Sequence, residues 1–168
     1  SQTVLFGGGI VGLQFTPIMK TLGSLLNGVT NYNSYVPGIK FPGVDDFFKR
    51  YSQKAIEAKV DPLGFYLAPF SYATGQMLEA AINGTKSFED RKIADYLHKN
   101  EMQTIVGPYT YDKLGERVKS AVFQAQFRGI KNDDLEQFKQ PGKQIVVWPD
   151  QIKQGNLIAP FDAARKAS

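Results

Sequence analysis

The run Gly7-Gly8-Gly9-Ile10-Val11-Gly12 stands directly behind the apolar Val4-Leu5-Phe6. It satisfies G-x-G-x-x-G, the spacing with which a strand-to-helix turn brings backbone N–H groups against a dinucleotide pyrophosphate. The chemistry it would serve is hydride transfer by a nicotinamide cofactor. Two features depart from that fingerprint: the next helix starts late, at Thr16-Pro17, and the following strand carries Asn31 and Asn33 where an acidic ribose ligand is needed. No lysine follows Gly12, so a phosphate-cradling P-loop fails as well. The bland alternative is a flexible turn feeding a helix.

Other catalytic constellations are thinly supplied. His98 is the single histidine, and there are no cysteines, which removes disulfides, thiolate metal sites and a cysteine nucleophile together. His98 stands beside Lys99 in the last turn of an expected helix, where the helix dipole favours a cation. The acidic pairs Asp45-Asp46, Glu89-Asp90 and Asp133-Asp134 fall at helix starts or in loops, where such residues are ordinary. No Ser, His and acid cluster is visible. The expectation is therefore no enzyme, no catalytic residues, no metal and no cofactor.

A different chemistry comes from aromatic residues at element ends. Phe6, Tyr32 and Tyr35 gather in the first part of the chain, and Tyr66, Phe70 and Tyr72 in the middle. Core packing is the ordinary use of each. Phe70, Ser71 and Tyr72 would also occupy the first turn of a helix beginning near Pro69, where free N–H groups can meet an anion. A glycine loop and a helix N-terminus facing aromatics would suit an apolar acid.

The elements that must position these groups follow from periodicity. Tyr66, Phe70, Ala73, Met77 and Ala81 stack on one helix face, with Gln76, Glu79 and Asn83 opposite. Before it come a strand at Val4–Phe6, a helix through Ile18, Met19, Leu22 and Leu26 capped by Thr16, and a strand within residues 28–36. Val44, Phe47, Phe48, Tyr51 and Ala55 mark another helix, broken by Asp61-Pro62. Ser87 to Asp90 resembles a capping box ahead of a helix through Ile93 and Leu97 that ends near Asn100. Strands are expected at Thr104–Gly107, at residues 121–130 and at Gln144–Trp148, with Phe123, Ala125 and Phe127 inward and Gln124, Gln126 and Arg128 on a wetter face. Residues 155–159 would form a short extended tail.

The 168 residues suit one ordinary domain of about 100 to 200 residues. With 42% hydrophobic and 21% charged residues the chain is globular in class, and no apolar run is long enough for a membrane span. Twenty basic residues against 16 acidic ones give +4, but they are scattered rather than clustered with aromatics, so no nucleic-acid partner is expected. No signal peptide precedes the first strand, and a chain that begins this way looks cut from something longer.

One ordered series resembles a known family. It comprises the glycine run after a strand, Asp61-Pro62 before a Tyr-Ala helix ending in Leu78-Glu79-Ala80-Ala81-Ile82, and Thr104-Ile105-Val106-Gly107 with Tyr111-Asp112 and Gly115. From about Val4 to Trp148 the chain is similar to the C-terminal half of type I periplasmic solute-binding proteins of ABC transporters, the branched-chain amino acid (Leu/Ile/Val) binding family. The resemblance implies an α/β fold of Rossmann-like lobes, here incomplete, with helices packed on mixed sheets. Residues 1–36 and 119–168 would belong to the second lobe and 37–118 to the first, with crossings near Tyr35–Pro37 and at residues 116–120. It also implies an extracytoplasmic component of an importer that delivers a small molecule to an ABC permease. The missing N-terminal half or a swapped copy would be a further partner. Ligand contacts would fall on Phe6, Gly8, Gly9, Ile10, Phe70 and Tyr72. Members that hold α-amino acids place an acid where this chain has Gly8, Gly9 and Ile10, which points to an aromatic or other apolar carboxylate without an ammonium group. An NAD(P)-dependent oxidoreductase and a ligand-sensing regulatory domain of the same fold stand as alternatives.

Overall fold

The computed structural model describes residues 3–9, 11–119 and 122–167. Among them lie five α-helices and six strands: β1 (Gly7–Gly8), α1 (Thr16–Leu22), β2 (Thr30–Asn33), α2 (Val44–Ala58), α3 (Ala68–Thr85), α4 (Asp90–Lys99), β3 (Met102–Thr104), β4 (Gly107–Tyr109), β5 (Phe123–Phe127), β6 (Gln144–Trp148) and α5 (Phe161–Lys166). Strands β1, β2, β5 and β6 form one sheet in that order, β1 and β2 parallel and the rest antiparallel; β3 and β4 make a separate hairpin. The fold is mixed α/β. No helix among the described residues is long and apolar enough to cross a membrane.

The first strand lies one step later than expected. Val4, Leu5 and Phe6 are exposed, and the pairing residues are Gly7 opposite Thr30 and Gly8 opposite Asn31. Close approach explains the shift, because a Cβ on Gly7 would sit 2.3 Å from Thr30 Oγ1 and 2.8 Å from its carbonyl oxygen. Only a residue without a side chain fits there. β1 is also the edge of the sheet, so it pairs on one side alone.

Behind it a 3₁₀ turn at Val11–Gln14 leads into α1, whose N-cap is Phe15 rather than Thr16. Phe15 has no side-chain oxygen to cap with, and Asp61 supplies one from across the chain. Its carboxylate accepts from the Thr16 N–H at 3.1 Å and from the Thr16 hydroxyl, and it also accepts from the N–H groups of Leu63 and Gly64 at 3.0 and 3.4 Å. The Tyr51 hydroxyl donates to the Asp61 carbonyl at 2.8 Å. Asp61-Pro62 therefore does more than end α2. It fastens α1, α2 and the approach to α3 together. Gly64, at φ 53°, completes the turn where any Cβ would strike the Tyr51 ring.

Helix α2 buries Val44, Phe47, Phe48 and Ala55, and α3 begins at Ala68 with Pro69 and the half-buried Phe70 in its first turn, buries Ala73, Met77 and Ala81, and has Tyr66 half-buried on its approach. Gln76 departs from the expected wet face: its side-chain oxygen accepts from the Ile105 N–H at 3.0 Å and ties the hairpin to α3. Residues 104–107, expected as one strand, form the reversal between β3 and β4, with Thr104 Oγ1 donating to the Gly107 carbonyl at 2.7 Å. That hydroxyl closes the turn that the β-branched sequence hid. One apolar cluster joins the sheet to these helices, from Met19 and Val36 through Phe48 and Val106 to Phe123, Phe127 and Val146.

Strand β5 buries Phe123, Ala125 and Phe127 as its alternation implies, yet Gln126 is fully buried too. The C-terminal segment lies across it. Gln126 donates to the carbonyls of Gly28 and Ile158 at 3.1 and 3.0 Å and accepts from the Ile158 N–H at 3.1 Å, while Arg128 donates to the Asn156 carbonyl. The face expected to be wetter is roofed by residues 155–159. Those residues then lead into α5, which the sequence did not suggest.

Candidate functional site

The residues singled out by sequence are placed in two groups. Phe6 is exposed, its ring 5.5 Å from Phe161 of α5. Gly8 and Gly9 pass close to the Asn31, Leu13 and Tyr32 side chains, and Ile10 lies outside the described residues. Phe70 packs half-buried against the core. Tyr72 lies against α2, its ring 4.9 Å from that of Phe47 and its hydroxyl accepting from Arg50 at 3.2 Å. Among the described residues no hydrogen bond or ring contact joins the glycine group to Phe70 or Tyr72.

The donors expected at the start of α3 are largely spent. The N–H groups of Phe70 and Ser71 both reach the Leu67 carbonyl at 3.1 Å, and Pro69 has none to give. At the start of α1 the position that would hold a phosphate is taken by the Asp61 carboxylate, itself an anion. Gly12 lies inside the 3₁₀ turn rather than opening the helix, so the geometry differs from that of the dinucleotide fingerprint. His98 sits in the last turn of α4 as expected, and its Nδ1 is 2.9 Å from the Asp112 carbonyl.

A cleft of about 500 Å³ lies elsewhere, where the β3–β4 hairpin, Arg117 and Lys119, the start of β5 and the end of β6 meet. Phe41, Val106, Pro108, Val122, Phe123, Trp148 and Ile152 supply apolar walls, and Arg117 and Lys119 supply cations. Among the described residues its lining contains no aspartate or glutamate. Each wall has a local cause. Val106 and Pro108 are presented by the tight β3–β4 reversal, and Trp148 ends β6 more than half exposed. Arg117 is set by the Tyr111–Arg117 bridge, which closes a loop turning through Asp112, whose side chain accepts from Leu114 and Glu116 at 2.8 and 3.0 Å.

Arg117 is the unusual member. Its Nη2 donates to the carbonyls of Val106 at 3.2 Å and Pro108 at 2.9 Å, and its guanidinium carbon lies 3.6 Å from the centre of the Tyr109 ring. Its other two nitrogens, Nε and Nη1, are buried and among the described residues have no hydrogen-bond partner. Burial lowers its pKa from the usual arginine value, against the opposing influence of Tyr109. A guanidinium in this state is charged, half-desolvated and short of acceptors. The arrangement can stabilise an anion whose body is apolar.

Sequence reasoning passed over this group because its members are scattered between Phe41 and Ile152 and share no motif. The available signal was modest: a lone tryptophan followed by proline, and an arginine inside the segment 116–120 already marked as a crossing. No family model matches the chain, and no curated protein matches it in sequence.

Proposed function

We propose that the chain is a binding protein for a small apolar carboxylate, of the extracytoplasmic solute-binding type that delivers its ligand to a membrane permease. The observation that carries this reading is the cleft itself: apolar walls, two cations and no acidic residue. Its size lies within the range of about 300 to 1,000 Å³ usual for small-molecule sites. An α-amino acid would bring an ammonium group for which the lining offers no counter-charge, and such a group is costly to bury alone. A carboxylate without one fits. The cleft also draws on residues from both chain parts that the family resemblance would assign to different lobes. The oxidoreductase alternative is weakened by Asp61, which occupies the helix terminus where a pyrophosphate would bind.

Trp148 is the only tryptophan and lines the cleft, so its fluorescence reports directly on occupancy. Titration with benzoate, phenylacetate, cyclohexanecarboxylate and 4-methylpentanoate is expected to give a saturable change for at least one acid, and leucine none. Saturation by leucine with no response to any of the four acids would overturn the reading.

A further inference from the structure

Resting on that reading, we infer that Arg117 is the anion anchor of the cleft and that Tyr109 holds it in position. The site takes a monocarboxylate against the guanidinium and an aromatic or branched apolar body against Trp148, Val106 and Phe41.

Three independent observations converge on Arg117. Its Nε and Nη1 are buried without acceptors, so they carry the cost of desolvation and lack the compensation that buried charged donors ordinarily have. Among the described residues no carboxylate lies within ion-pair distance of it; the exposed pairs Lys92–Glu89, Lys139–Glu136 and Lys153–Asp150 lie elsewhere. Finally, its Nη2 and its ring contact are fixed, which orders the side chain before any ligand arrives. A preordered cation on the wall of an apolar cleft is the arrangement that rewards an incoming anion, because little side-chain entropy is left to lose.

The geometry also limits how the anion sits. Nη2 is engaged by two carbonyls, so a ligand cannot use it without breaking the bonds to Val106 and Pro108. Nε and Nη1 are buried as well and closed to an incoming group, so the carboxylate is held by the charge of the guanidinium at the cleft wall rather than by a direct bond to either nitrogen. Lys119 is exposed and makes the weaker, screened contribution at the mouth.

The test compares benzoate with benzamide, which share a body and differ in charge. The wild-type chain is expected to bind benzoate at least about ten-fold more tightly, a preference worth about 1.4 kcal/mol. Arg117→Met should bring the two affinities together, whereas Lys119→Met should weaken benzoate by no more than about three-fold, as befits a screened rim charge. NMR of the arginine Nε–H signals gives a second readout: benzoate should move one of them, and that signal should be missing from Arg117→Lys. Should Arg117→Met fail to fold, Arg117→Gln and the NMR titration answer the same question. Benzoate preference retained without Arg117, or no arginine signal moving as benzoate saturates Trp148, overturns the assignment while leaving the cleft intact. Failure of the wild-type chain to bind any of the four acids overturns the reading of the cleft as well.

Discussion

Asp61 and Arg117 are both half-buried charges set in turns, and they differ in how well their neighbours answer them. The Asp61 carboxylate accepts from two groups of Thr16 and from the N–H groups of Leu63 and Gly64. Arg117 meets two carbonyls and Tyr109, and among the described residues its Nε and Nη1 have no hydrogen-bond partner. A satisfied charge holds a structure together, since removing it strands several donors at once. A charge left short of partners keeps more of its field for a neighbour that arrives later. On the proposed reading, this difference separates a structural charge from a binding one.

The sharpest way to break the comparison is to delete both. Asp61→Ala removes the cap of α1 and the acceptor for the turn before α3, and it should cost about 2 to 3 kcal/mol of stability, read from urea unfolding curves. Arg117→Met gives up two hydrogen bonds and the ring contact but also relieves a charge that is short of partners, so its net cost should stay below about 1 kcal/mol. Equal losses for the two variants would mean that Arg117 is as structural as Asp61.

How far the sequence reached depends on the same local or distant character of the contacts. Periodicity located α2, α3 and β6 well, because apolar spacing is a local property of the chain. Pro69 marked the start of α3 for the same reason. The Thr16 cap failed since its acceptor lies 45 residues away. Gln126 was misplaced because its roof comes from residues 155–159. Gly7–Gly8 read as a loop, although close backbone approach makes glycine the only residue that pairs there. The cleft was illegible in outline, being assembled from four separated stretches with no common spacing.

A third ionisable group extends the comparison to one that stays neutral. Tyr35 is buried with its ring stacked 3.9 Å from Phe48, and its pKa is pushed up chiefly by burial and further by Asp45. The unfolded chain loses this proton above about pH 10 while the folded chain keeps it. The folded state then binds more protons, so stability is undiminished below that pH and falls as pH rises, by about 1.4 kcal/mol per unit for such a tyrosine. Tyr51, Tyr66 and Tyr111 are shifted in the same direction and add to the fall. Unfolding midpoints between about pH 9 and pH 11 should therefore decline, and less steeply in Tyr35→Phe. An unchanged slope in that variant would place the effect on the other three tyrosines.

The smallest expected effect tests whether the two charged centres are separable from the scaffold. Gly75 lies on the exposed side of α3, at ordinary helical φ, and a Cβ there would meet nothing within 4 Å. Alanine should raise stability by about 0.5 to 1 kcal/mol, because glycine gives up more backbone freedom in a helix. Its neighbour Gln76 is the link from α3 to the Ile105 N–H, and Ile105 adjoins Val106, whose carbonyl holds Arg117. If α3 serves only as scaffold, Gly75→Ala leaves benzoate affinity unaltered while shifting the unfolding midpoint upward. A change in affinity of several-fold would instead show that the pose of Arg117 is transmitted through Gln76, and that the division between the structural and the binding charge is one of degree.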